Sequence, residues 1–298
     1  MNPLKNVEAS VRQRLLNLAR SENRPFDELL QYYAMERFLY RLSLSAHRNK
    51  FILKGALMLR AWRAPEFRST NDIDMLGVTS NDESRLVQQI REIMALEVEP
   101  DGLRFEPESI DSERITEDAD YAGVRVTFIC HLGSAKINMQ ADIGFGDIVH
   151  PGPEETSLPT MLDYPPPRIL GYTRDSVIAE KFEAMVKLGD LNSRMKDFYD
   201  IWLLSRNFDF DAIKLADAIR LTFHRRGTEI PVDLDAFEQG FVDAKQVQWV
   251  AFRRRLGQEH VPESFKEIVS AVRAFLAPVV NQLTHDDSKQ GNRGIIDE

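Results

Sequence analysis

The sequence predicts an α+β (mixed α/β) fold with an N-terminal helical segment and an all-α C-terminal half. Three observations carry this. Apolar residues keep near-helical spacing through the first fifty positions. From Phe51 to Pro167 they fall into short runs and period-two alternation broken by Gly, Asn, Asp and Pro. Beyond Asp175 the helical period returns. A chain of 298 residues is long enough for two domains. The change in texture places them at 1–172 and 173–283, with a polar, disordered tail at 284–298.

Taken in order, Leu4, Val7, Val11, Leu15 and Leu18 mark one helix, and Phe26, Leu29, Leu30, Tyr33, Phe38 and Leu42 mark a second. Phe51-Ile52-Leu53 reads as a short strand running into Lys54-Gly55-Ala56, followed by a helix over Leu57 to Trp62. Ile73 to Val78 is a strand, and Ser80 to Leu96 a helix with Ser80 or Asn81 as its N-cap. Val124, Val126, Phe128 and Cys130 share one strand face, as do Ile137, Met139, Ala141 and Ile143 in the next run. Leu132-Gly133-Ser134 joins the two as a hairpin. Pro151, Pro153, Pro159 and Pro165-Pro166-Pro167 mark an irregular crossover. Helices follow at 175–189, 194–206, 211–225, 244–257 and 263–282.

Composition excludes several classes. One cysteine, Cys130, allows no internal disulfide and no cysteine-based zinc site. No run approaches the roughly 20 apolar residues of a membrane span, no secretory signal is visible, and the chain reads as cytoplasmic with no membrane partner. The formal charge of −9 argues against a nucleic-acid partner if taken whole. Its distribution changes that reading. Residues 97–120 hold ten carboxylates against two arginines, nearly all of the excess, and read as a solvated edge of the fold. Arginines gather late instead, and Arg220, His224, Arg225, Arg226 and Arg253 to Arg255 are candidates for holding an RNA backbone.

The chemistry concentrates on three carboxylates. Asp72 and Asp74 flank Ile73 at the start of a strand, so both point to one face while Ile73 enters the core. Asp142 lies on the polar face of its own strand. If the strands are neighbours, three carboxylates converge, and their repulsion calls for a hard divalent cation such as Mg²⁺ or Mn²⁺. Upstream, Gly55 at a strand-to-helix turn lets backbone N–H groups approach a phosphate. Arg68-Ser69-Thr70-Asn71 leads directly into Asp72. A phosphate cradle beside a metal-binding pair is a phosphoryl-transfer layout.

Lys54-Gly55, Arg68-X-Thr70-X-Asp72-Ile73-Asp74 and Asp142-Ile143-Gly144-Phe145-Gly146-Asp147 together resemble the AbiEii/AbiGii toxin family. Ile178-Ala179-Glu180-Lys181 and Arg194-Met195-Lys196-Asp197-Phe198-Tyr199-Asp200 match its later motifs, so the resemblance spans about 51 to 204. Where this chain has Ala56, the family often has a second Gly. The resemblance implies a polymerase-β-like nucleotidyltransferase core and a type IV toxin–antitoxin or abortive-infection toxin. It implies transfer of nucleotides from an NTP to a tRNA 3′ end, blocking translation, and an antitoxin encoded nearby. By position, Asp72, Asp74 and Asp142 are the metal ligands, with Asp142 also helping to deprotonate the attacking hydroxyl. Lys54, Gly55, Ala56, Arg68 and Thr70 line the triphosphate, Lys181 opposes its charge, Arg194 meets phosphate, and Asp197 or Asp200 orients Lys181 or the acceptor. Two alternatives stay open: a protein or small-molecule hydroxyl as acceptor, and a catalytically silent module that binds the antitoxin.

Overall fold

The computed structural model describes residues 6–65, 68–117, 121–231 and 238–291. Its first unit comprises Met1–Arg63, Phe67–Gly146 and Pro153–Tyr172, and its second Ala64–Glu66, Asp147–Gly152 and Thr173–Glu298. Among the described residues, no helix is long and apolar enough to cross a membrane.

In the first unit, β1 (Phe51–Leu53), β2 (Ile73–Gly77), β3 (Leu103–Glu117), β4 (Tyr121–Leu132), β5 (Ala135–Phe145), β6 (Glu154–Ser157) and β7 (Arg168–Gly171) form one sheet. Their order is β3-β4-β5-β2-β1-β7-β6. β2 runs parallel to β5 and β1 parallel to β7, while the other neighbours are antiparallel. Alternation in β4 and β5 follows the sequence pattern. Val124, Val126, Phe128, Cys130, Ile137, Met139, Ala141 and Ile143 are buried together with α1 (Val7–Glu22), α2 (Phe26–Leu44) and α4 (Glu83–Met94) in one hydrophobic core. α2 is covered along most of its length, consistent with its weak amphipathicity.

Three expectations for this unit change. Asp82, not Ser80 or Asn81, caps α4, its carboxylate accepting from the Arg85 N–H at 2.9 Å. The proline-rich stretch is not wholly irregular, because β6 and β7 pair within it and add an edge to the sheet. The acidic stretch holds the long edge strand β3, whose charges suit an exposed edge. Asp101 departs from the solvated reading. It is buried, and both of its oxygens accept from Arg41, at 2.6 and 3.2 Å.

The second unit is helical: α5 (Arg174–Leu188), a 3₁₀ turn at Gly189–Leu191, α6 (Met195–Asn207), α7 (Ala212–Arg226), α8 (Gln239–Leu256) and α9 (Phe265–Gly291). α9 runs past Thr284, where the sequence turns polar, and residues 292–298 lie outside the described residues. Aromatic packing holds the core. Phe182 meets Phe223 at 5.2 Å between centroids, and Phe265 lies between Phe198 at 5.1 Å and Trp249 at 5.6 Å.

Arg226 belongs to this core and not to an RNA-facing patch. Its side chain is 4% exposed, with Nη1 2.8 Å from Glu183 and Nη2 2.9 Å from Asp147. Glu180 lies 3.7 Å away, and the Thr228 hydroxyl donates to Glu183. Arg253 is also engaged locally, donating to the Val261 and Glu259 carbonyls and to Glu263. Arg254 and Arg255 are exposed.

Removing the Arg226 charge leaves buried carboxylates uncompensated, a loss that costs about 3–5 kcal/mol in comparable sites. Arg226→Gln is expected to lower stability by that order in urea unfolding. A loss under about 1 kcal/mol would show that the cluster is solvated.

Candidate active site

Parallel pairing of β2 with β5 sets Asp74 directly opposite Asp142 and Ile73 opposite Ala141. Ile73 is fully buried, so its neighbours Asp72 and Asp74 turn to the opposite, polar face. Asp72, Asp74 and Asp142 each bring one carboxylate oxygen within 4.8 Å of the others. Asp142 is buried and the other two are half-buried. All donors are hard oxygens, a set that suits Mg²⁺ or Mn²⁺ and not softer ions.

The approach of Asp74 depends on a missing side chain. Gly55 has φ +72°, and a Cβ built there would fall 1.9 Å from Asp74 Oδ2. Only Gly both tolerates this backbone and leaves room for the carboxylate. Ala56 is already the first residue of α3 (Ala56–Ala61) and is buried, so the demand for Gly falls on position 55 alone. Lys54 is buried, and its backbone N–H donates to the Asp74 carbonyl at 2.9 Å. That amide therefore builds the sheet and is not turned to a phosphate. Arg68 is half-buried, on the segment that leads to Thr70.

Thr70 is buried and its hydroxyl donates to Asp72, orienting that carboxylate. Two residues from α2 complete the support. The Tyr32 hydroxyl accepts the Thr70 N–H at 3.2 Å, and burial raises this phenol above its ordinary pKa. Gln31 Nε2 donates to the Asn71 and Asn138 carbonyls at 3.0 and 3.1 Å, joining the Asp72 segment to β5. Sequence reasoning missed both, since a polar residue on a mostly buried helix carries no local mark of its distant partner.

It also missed Arg125. The Gly133–Ser134 turn sets Arg125 opposite Asp142, and Nε and Nη2 donate to its two oxygens at 2.9 and 2.8 Å. A signal for this was present, because a two-residue hairpin counted outward from Leu132 and Ala135 pairs these two positions.

In the second unit, Lys181 Nζ lies 2.7 Å from both Asp197 and Asp200, and Arg194 Nε lies 2.6 Å from Asp197. Lys181 is mostly covered, not a snorkelling surface residue, and Asp200 is buried against it. Burial alone would raise the Asp197 carboxyl pKa. Lys181 and Arg194 outweigh that effect and hold it below its ordinary value.

The family described as nucleotidyl transferase AbiEii toxin, type IV toxin–antitoxin system, matches residues 37–271. The chain belongs to this family. The AbiEii match takes in every candidate residue named above from Lys54 to Asp200. No curated protein matches the chain. Two solved Helicobacter pylori structures share its fold. JHP933 is 12% identical with a TM-score of 0.51, covering 90% of this chain and 97% of its own. A protein described as a candidate nucleotidyltransferase is 12% identical with a TM-score of 0.50, covering 86% and 96%.

A carboxyl whose folded pKa is depressed adds stability above its unfolded value near 4, and that stability is lost as pH falls through the folded value. Asp197 is therefore expected to contribute fully at neutral pH and to lose its contribution below about pH 4. Unfolding free energies measured from pH 7 to pH 2 should fall less steeply at the acid end in Asp197→Asn than in the wild type. Parallel curves would remove Asp197 from the acid response.

Proposed function

We propose that this AbiEii member is a cytoplasmic, Mg²⁺-dependent nucleotidyltransferase toxin with a polymerase-β-like core, transferring nucleotides from an NTP to the 3′ end of tRNA and so blocking translation. The observation that carries the reading is the convergence of Asp72, Asp74 and Asp142 in one polar spot of the sheet. Family membership supplies the nucleotidyl-transfer class and implies an antitoxin partner, which we place in a neighbouring gene.

Asp72, Asp74 and Asp142 would hold Mg²⁺, or Mn²⁺ in its place. When bound, such ions screen phosphate charge, lower the pKa of an attacking hydroxyl and stabilise a departing pyrophosphate. The chain's own groups orient these ligands. Thr70 aims Asp72, Gly55 makes room for Asp74, and the strand register brings Asp142 alongside. Arg68 and the turn at Gly55-Ala56 are assigned to the triphosphate, with Lys54 beside them. Lys181 is assigned to oppose phosphate charge, steered by Asp197 and Asp200, and Arg194 to meet phosphate. In the reaction an acceptor hydroxyl oxygen bonds to the α-phosphorus while the bond to pyrophosphate breaks, and the hydroxyl proton leaves to solvent or a carboxylate.

The test is incubation with each labelled NTP in turn, together with total tRNA. Label is expected at tRNA 3′ ends, with a loss of at least about a hundredfold in Asp74→Ala and a folded far-UV spectrum. Gly55→Ala should fall at least tenfold, because its Cβ meets the Asp74 carboxylate. Full incorporation by Asp74→Ala would overturn the assignment. Label on protein or small molecules, with none on tRNA, would replace the acceptor.

A further inference from the structure

The carboxylate trio has a built-in cation. Arg125 lies opposite Asp142 on β5 and opposite Glu113 on β3, with Nη1 3.6 Å from the Glu113 carboxylate. Asp142 Oδ1 accepts from Arg125 Nε at 2.9 Å, and Oδ2 accepts from Arg125 Nη2 at 2.8 Å. Gln140 Nε2 reaches both oxygens at 3.2 Å. A carboxylate oxygen offers two lone-pair directions. Each oxygen of Asp142 therefore already accepts from Arg125 and Gln140, and an ion that takes one competes with these donors for it.

We propose that Arg125 is a positioning residue that stands in for the divalent cation at Asp142, keeping the carboxylates assembled, and competes with that cation for the same oxygens. The proposal rests on the metal-dependent reading above and deepens it. One guanidinium removes one of three like charges from a space 4.8 Å across, which allows the site to form before an ion arrives. The same charge opposes the ion. A unit charge about 6 Å from a divalent ion, screened as in water, weakens binding about tenfold. Arg125 is 34% exposed, so its side chain has room to withdraw towards Glu113 when an ion takes Asp142. Ion binding is then favoured by a ligand that brings its own negative charge, and bare Mg²⁺ is held weakly.

Mn²⁺ binding without nucleotide, read by calorimetry or by water-proton relaxation, tests this. Arg125→Gln is expected to bind Mn²⁺ about tenfold more tightly than the wild type, and Arg125→Lys, which keeps the charge, within about threefold of it. In the wild type, the ¹⁵N resonance of Arg125 Nε, identified by its loss in Arg125→Lys, should shift as Mg²⁺ is added. This second readout needs no charge-removing variant to fold. Equal or weaker Mn²⁺ binding by a folded Arg125→Gln, or a fixed Nε resonance while Mg²⁺ binds, overturns the competition and leaves the metal site standing. Absence of Mn²⁺ binding in every protein overturns both.

Discussion

Two carboxylates far apart in the chain meet because β2 and β5 pair in parallel with Asp74 facing Asp142. A slip of one residue would send Ile73 to the polar face and Asp74, with Asp72 just before the strand, towards the core. The burial of Ile73, Met75, Ala141 and Ile143 therefore fixes the carboxylates as firmly as any contact the aspartates make themselves. Other parts of the site follow from this register. Gly55 must lack a side chain because the Asp74 carboxylate occupies the space, and Thr70 and Tyr32 hold the chain entering β2. Gathering like charges on a sheet face is tolerable because Arg125 arrives on the next strand in register with Asp142.

The second unit handles charge in a different way. Its Lys181–Asp197–Asp200–Arg194 group and its Arg226–Asp147–Glu183 group are buried ionic networks in which each charge limits the desolvation penalty of another. Asp147 and Glu180, both within stretches that carry the resemblance to the family, converge on Arg226. In this chain those two carboxylates serve the assembly of the helical unit.

Much of the site was legible in short patterns. Alternation around Ile73 and through Lys136 to Ile143 assigns Asp72, Asp74 and Asp142 to polar faces without any knowledge of the sheet. Their meeting was not legible, because no local pattern states that β5 returns beside β2. Arg125 was half-legible, since the hairpin count pairs it with Asp142, but only once the turn is narrowed from three residues to Gly133–Ser134. Arg226 was misplaced because clustered arginines at a helix end look the same whether they face solvent or close a buried network; only the distant Asp147 and Glu183 distinguish the cases. β6 and β7 are four-residue strands among prolines, too short for alternation to register.

Anomalous diffraction from crystals grown with Mn²⁺ and a non-hydrolysable NTP analogue shows whether the three carboxylates together hold cations. An anomalous peak is expected within coordination distance, about 2.0–2.3 Å, of oxygens from Asp72 and Asp74, with Asp142 at the same ion or at a second one beside it. Arg125 is expected to be withdrawn from at least one Asp142 oxygen in the same crystals. A manganese peak elsewhere, with Asp72 and Asp74 contacting no ion while the nucleotide is bound, would contradict a cation site at the three carboxylates.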